Sequence, residues 1–156
     1  MRDAFVGVLM RLAEENPDWC LPDVDEQRPA GLEAGRTLDL SIVIVNWNVR
    51  DLLAGCLHSI EARRDHMALE VIVVDSSSSD GSQAMVQEQF PWVQLLACQE
   101  NVGFPRGNNL GLAASRGRYV LLLNPDTVVI DDALQVMADY LDEHLDVGLV
   151  GGQLLN

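Results

Sequence analysis

The chain has 156 residues, 48% of them hydrophobic, enough for one domain with a buried core. Its 24 acidic against 10 basic side chains leave a net charge of −14, which argues against a protein that tracks nucleic-acid phosphates through clustered cations. All ten cations are Arg, and without a lysine both a Walker-type phosphate loop and a Schiff-base mechanism are excluded.

Residues 1–39 read as a helical arm and linker. Phe5, Val8, Leu9 and Leu12 fall at helical spacing, and Pro17, Pro22, Pro29, Gly31 and Gly35 then punctuate an acidic stretch. From Leu40 the pattern becomes regular. A strand is predicted at Ser41–Val45, a helix at Asp51–Arg64, a strand at Glu70–Val74 and a helix at Ser82–Gln89. Next come a strand at Trp92–Ala97, a helix at Gly107–Arg116 and a strand at Arg118–Leu123, almost without polar interruption. A helix at Asp131–His144 and a short fifth strand at Val147–Val150 complete the series. Strands alternating with helices imply an α/β fold with a mainly parallel sheet and helices on both faces.

Cys20, Cys56 and Cys98 are odd in number and lack a CxxC pair, which suggests neither a disulfide framework nor a zinc site. Ala4 to Met10 is a poor signal peptide, since Arg11, Glu14 and Glu15 follow at once, and no run approaches the ~20 apolar residues of a membrane span. The expected setting is cytoplasmic, at most peripheral to the inner face of the membrane.

Two apolar runs deliver an acid to the point where turn chemistry begins: VIVVDSSSSDGS at 71–82 and YVLLLNPDT at 119–127. Carboxyl ends of parallel strands open into the crevice where such folds bind nucleotides, so Asp75 and Asp126 are expected to face one site. Asp75 can accept hydrogen bonds from a ribose or base, and lies too early to do no more than cap the helix that begins near Ser82, whereas Asp80 suits such a cap. Asp126 can anchor a hard cation together with substrate phosphates, with Asn124 as a neutral oxygen ligand or amide donor. The bland alternative is an Asx-Pro turn. In NVGFPRGNNLG at 101–111, Pro105 suits a first helical residue, Gly103 and Gly107 allow close backbone approach, and Arg106 can reach a diphosphate. The bland alternative is a loop with a solvated Arg. His58, His66 and His144 suit surface roles near helix ends, and Trp47 either borders a base or packs.

Together these stretches resemble the family 2 glycosyltransferases of the GT-A fold, in particular the rhamnosyltransferase-like branch. The likeness rests on SIVIVNWN at 41–48, VIVVDSSSSDGS, ENVGFPRGNNLGLAAS at 100–115 and YVLLLNPDT, in the family's order and with similar separations. By that resemblance, Val45 and Asn46 line the nucleobase pocket and Asp75 holds the uracil or ribose. Gly103, Gly107 and Asn109 form the loop and helix start beside the nucleotide. Asp126 corresponds to the last acid of the DxD motif, which engages Mg²⁺ or Mn²⁺, and Asn124 takes the place of the first. The implied reaction transfers a sugar from a nucleotide diphosphate donor to a saccharide or lipid-linked acceptor hydroxyl, with inversion.

The family generally continues for a hundred or more residues past this strand, and that portion carries the acceptor pocket and catalytic base. The catalytic residue is therefore unassigned, and residues 40–156 are expected to be the donor-binding portion of a longer enzyme or a naturally truncated product. Feeble or no transfer and self-association through an exposed sheet flank are further expectations. Two rivals stand beside this reading. One is a noncatalytic GT-A-like interaction or regulatory module; the other, a nucleotidyltransferase, is disfavoured by the missing lysine.

Overall fold

The computed structural model describes residues 8–11, 38–64 and 67–152. Its frame is a six-stranded sheet formed by β1 (Val8–Arg11), β2 (Leu40–Asn46), β3 (Leu69–Asp75), β4 (Gln94–Ala97), β5 (Tyr119–Leu123) and β6 (Leu149–Gly151), in the order β4-β3-β2-β5-β1-β6. The four strands β4, β3, β2 and β5 are mutually parallel, with Asn46 opposite Asp75 and Ile44 opposite Leu123. This is the expected mainly parallel α/β arrangement.

Helices cover both faces. Alternation along β2 sends Ile42 and Ile44 to one side, where they join Leu53, Cys56, Leu57 and Ile60 of α1 (Arg50–Glu61). Those four positions repeat at the helical period and form the buried stripe of an amphipathic helix. Met85 and Val86 of α2 (Ser82–Gln89) and Leu134, Ala138 and Leu141 of α4 (Ala133–Glu143) complete this core. Each fully buried Leu or Ile contributes roughly 1.5–3 kcal/mol over an exposed one.

Val45, Ile72 and Val74 point the other way, toward α3 (Gly103–Ala114). This helix lies unusually close to the sheet: a Cβ on Gly107 would stand 2.8 Å from Val45 Cγ1, and one on Gly111 would collide with Val43 Cγ1. The two glycines, one helical turn apart, are thus the contact surface of α3 on β2.

The amino edge of the sheet is closed by a polar latch. Glu70, 8% exposed, accepts from Ser41 Oγ at 2.7 Å and from Arg116 N at 2.8 Å and Nε at 3.0 Å, and pairs also with Arg116 Nη2. Gly117 N donates to Ser41 Oγ at 2.8 Å. A buried carboxylate is tolerated here because its lone pairs are taken by a guanidinium and two further donors.

One expectation needs correction. Val8–Arg11, predicted in a helix, forms a strand antiparallel to both β5 and β6. A short apolar run does not fix its own period, and the unpaired backbone edge of β5 decides the matter. The remainder of the arm before Leu38 lies outside the described residues. The last strand, β6, joins the sheet through β1.

Candidate functional site at the carboxyl edge of the sheet

β2 lies between β3 and β5, and all three run in the same direction. Asp75 ends β3, and Asp126 follows the end of β5 by three residues. Both acids therefore stand at one edge of the sheet, on strands two spacings apart, roughly 10 Å.

Asp75 is 1% exposed and its carboxylate is already engaged. Oδ1 accepts from Ser78 N at 2.9 Å and Gln83 Nε2 at 2.7 Å, and Oδ2 accepts from Asn46 Nδ2 at 2.7 Å. Three of about four lone-pair positions are filled, leaving room for one more donor. Asn46, fully buried, also donates to Ser78 Oγ at 3.1 Å, while its own Oδ1 has no partner among the described residues. The direct contact with a base or ribose expected of Asp75 is thus preceded by a structural role: it is the hub of the β2 and β3 ends. Spacing alone could not identify Ser78 or Gln83, because the first sits in a run of like serines and the second is one of several polar residues on α2.

Asn48, at φ +55°, folds its loop back so that its Oδ1 accepts from Ser79 N at 2.8 Å. Asn tolerates this left-handed conformation better than most residues with a side chain. Asp80 caps two helices at once, accepting from Ser82 N at 3.0 Å with Oδ1 and from Arg50 N at 2.8 Å with Oδ2. Partial burial pushes its carboxyl up, but bonds from the Ser82 hydroxyl and from the Arg50 and Ser82 amides outweigh that and hold it below the usual Asp range.

α3 begins four residues earlier than its predicted start, placing Gly103 rather than Pro105 first, with Gly103 at φ +73°. Its entry is clamped to β3: Ser76 Oγ donates to Asn101 Oδ1 at 3.0 Å and accepts from Val102 N at 2.8 Å, and Gly103 N donates to Asn101 Oδ1 at 2.9 Å. Two amides at the start of α3 are therefore occupied by the protein itself. Gly107 and Val45 pack on each other where α3 crosses β2. Arg106 and Asn109 are exposed, the former 3.4 Å from Glu100 Oε1. Burial, and then the Asp75 charge, push the neighbouring Cys98 thiol up.

On β5's side, Thr127 N donates to Asn124 O at 3.2 Å and closes a turn with Pro125 and Asp126 at its centre. Asp126 is exposed, Asn124 partly so. The Cys56 thiol donates to Asn124 O at 3.8 Å and is pushed up to about 12 by burial and then by the Asp126 charge.

No cluster of three or more His, Cys, Asp or Glu ligands occurs among the described residues. An all-protein cage does not fit this edge. A hard cation held by one exposed carboxylate, with substrate phosphates and waters filling its shell, does fit Asp126. Trp47 is 56% exposed beside this edge. His58 sits by Glu61 and Phe90 and His144 stacks on Tyr140, away from both acids in sequence and contacts, whereas His66 lies outside the described residues. No described helix is long and apolar enough to cross a membrane.

Residues 41–154 match the family described as Glycosyl transferase family 2. The chain belongs to that family. It is 31% identical over 126 residues to the succinoglycan biosynthesis protein ExoO of Rhizobium meliloti, covering 75% of this chain and 36% of that protein. Identity is 27% to the putative teichuronic acid biosynthesis glycosyltransferase TuaG of Bacillus subtilis, over 67% of this chain and 42% of TuaG. Among solved structures, S. aureus TarS 1-349 in complex with UDP superposes with a TM-score of 0.63 at 25% identity, covering 69% of this chain and 33% of that one. The mannosyltransferase PcManGT from Pyrobaculum calidifontis, in complex with GDP-Man and Mn²⁺, gives 0.59 at 26% identity, again over 69% and 33%. The family 2 chain described here thus spans between 33% and 42% of the length of these relatives, and its fold is that of GT-A glycosyltransferases.

Proposed function

We propose that this chain binds the nucleotide diphosphate sugar donor of a glycosyl transfer reaction at the carboxyl edge of its parallel sheet. The observation that carries the reading is the placement of Asp75 and Asp126 on either side of β2 within the segment that matches the family. The UDP complex of TarS and the GDP-Man and Mn²⁺ complex of PcManGT support it by likeness.

On this reading the ends of β2 and β3, tied together by Asn46 and Asp75, seat the nucleoside, and the last acceptor position of Asp75 takes one donor from it. Asp126 holds Mg²⁺ or Mn²⁺, with Asn124 beside it, and Arg106 can leave Glu100 for a phosphate oxygen. A cation bound there would neutralise charge gathering on the diphosphate leaving group. The anomeric carbon then loses its bond to that diphosphate and gains one to the acceptor hydroxyl, with inversion. The acceptor is a saccharide or a lipid-linked one, in keeping with relatives named for succinoglycan and teichuronic acid biosynthesis. Its proton goes to a general base that we assign to none of the described residues, and the reading carries no particular donor sugar.

Calorimetry with UDP, dTDP and GDP, with and without Mn²⁺, tests the proposal. Binding of at least one of them is expected, tightened by Mn²⁺ in the unmutated chain and insensitive to Mn²⁺ in Asp126→Asn. Absence of binding by all three at millimolar concentration would leave the fold as a noncatalytic module. Asp75→Ala is a poor probe, since it strands three donors, that of Asn46 in the interior; Asp75→Asn is the milder choice.

A further inference from the structure

The segment after β5 is fastened at three points to α1 and the turn that follows it. Cys56 donates its thiol to Asn124 O at 3.8 Å, Ser59 Oγ accepts from Val129 N at 2.9 Å, and Arg63 Nε donates to Asp131 O at 2.9 Å. The three-residue step keeps positions 56 and 59 on the same side of α1, and Arg63 follows from the turn after its end.

Asp126 lies between the first two fastenings, at the third position of the turn that Thr127 N closes on Asn124 O. Its carboxylate is exposed, so its placement depends on what holds the backbone to either side. The three ties are unequal. A thiol at 3.8 Å is a weak donor, and Arg63 works at the surface. Ser59 and Val129 are only 9% and 6% exposed. The Ser59 hydroxyl also donates to Cys56 O at 2.7 Å, so its proton is committed along the helix and its oxygen is aimed at the Val129 amide.

We propose that Ser59 is a positioning residue for Asp126, holding the Asn124–Asp131 segment so that the carboxylate meets the cation and diphosphate of a bound nucleotide. This rests on the donor-site reading above. Ser59 itself touches neither ligand.

The test is Ser59→Ala, with Ser59→Thr as the variant that keeps the hydroxyl, in the full chain. Calorimetry with UDP and GDP is run with and without Mn²⁺. In Ser59→Ala the gain in affinity from Mn²⁺ should shrink roughly tenfold while metal-free affinity stays within about twofold, and Ser59→Thr should restore the gain. An undiminished Mn²⁺ gain, or an equal loss with and without the metal, overturns the proposal. Hydrogen exchange at the Val129 amide is a second readout that needs no ligand: it should speed up in Ser59→Ala but not in Ser59→Thr. Unchanged exchange in Ser59→Ala refutes the tie itself. Failure of the unmutated chain to bind any nucleotide, with Val129 exchange responding as expected, would instead refute the donor-site reading and with it the role assigned to Ser59.

Discussion

Asn46 and Asp75 face each other in register at the ends of neighbouring parallel strands, and the Asn46 amide donates to the Asp75 carboxylate at 2.7 Å. The pairing depends on one partner being neutral, because both side chains are within 1% of complete burial.

Asn46→Asp would therefore place two carboxylates in a site with room for one charge. One of the pair must hold a proton, so its folded pKa rises above the unfolded Asp value of about 3.9. A carboxyl with a raised folded pKa stabilises the fold below the unfolded value and loses that contribution as pH rises through the folded one. Thermal unfolding of this variant between pH 4 and 8 should show a deficit that grows with pH, reaching about 2–4 kcal/mol at neutrality. A pH-independent deficit would contradict the hub assigned to Asp75.

Asp80 carries the opposite sign. Its folded pKa is depressed, so it stabilises above the unfolded value and the contribution disappears as pH falls through the folded value, below about 4. Asp80→Ala should cost about 1–2 kcal/mol at pH 7, since it uncaps both α1 and α2, and the gap to the unmutated chain should close toward pH 2–3. Urea unfolding at the two pH values measures this directly.

Two glycine substitutions should go in opposite directions. Gly111→Ala drives a methyl into Val43 on the central strand and should cost about 1–3 kcal/mol. Gly55→Ala, exposed within α1 with nothing in reach of its Cβ, should add about 0.5–1 kcal/mol by improving helix propensity. Equal effects in a thermal melt would mean that α3 does not lie as close to β2 as described.

Element types and their order were legible because α1 repeats apolar residues at the helix period along its one buried face, while β5, covered on both faces, is a short uninterrupted apolar run. That same logic failed at Val8–Arg11, where four residues carry too little pattern and the partner strand is more than a hundred residues away. The carboxyl-edge acids were also visible, since Asp75 and Asn-Pro-Asp126 interrupt apolar runs.

The sequence alone thus determined the alternating architecture, the four strand ends and the two acids, because local periodicity and turn chemistry record themselves in neighbouring residues. Only the tertiary structure decided what each group does. Asp75 became a buried hub, Gly107 a packing surface and Ser59 an anchor for the Val129 amide, because hydrogen bonds and steric contacts between segments far apart in the chain leave no periodic trace in it.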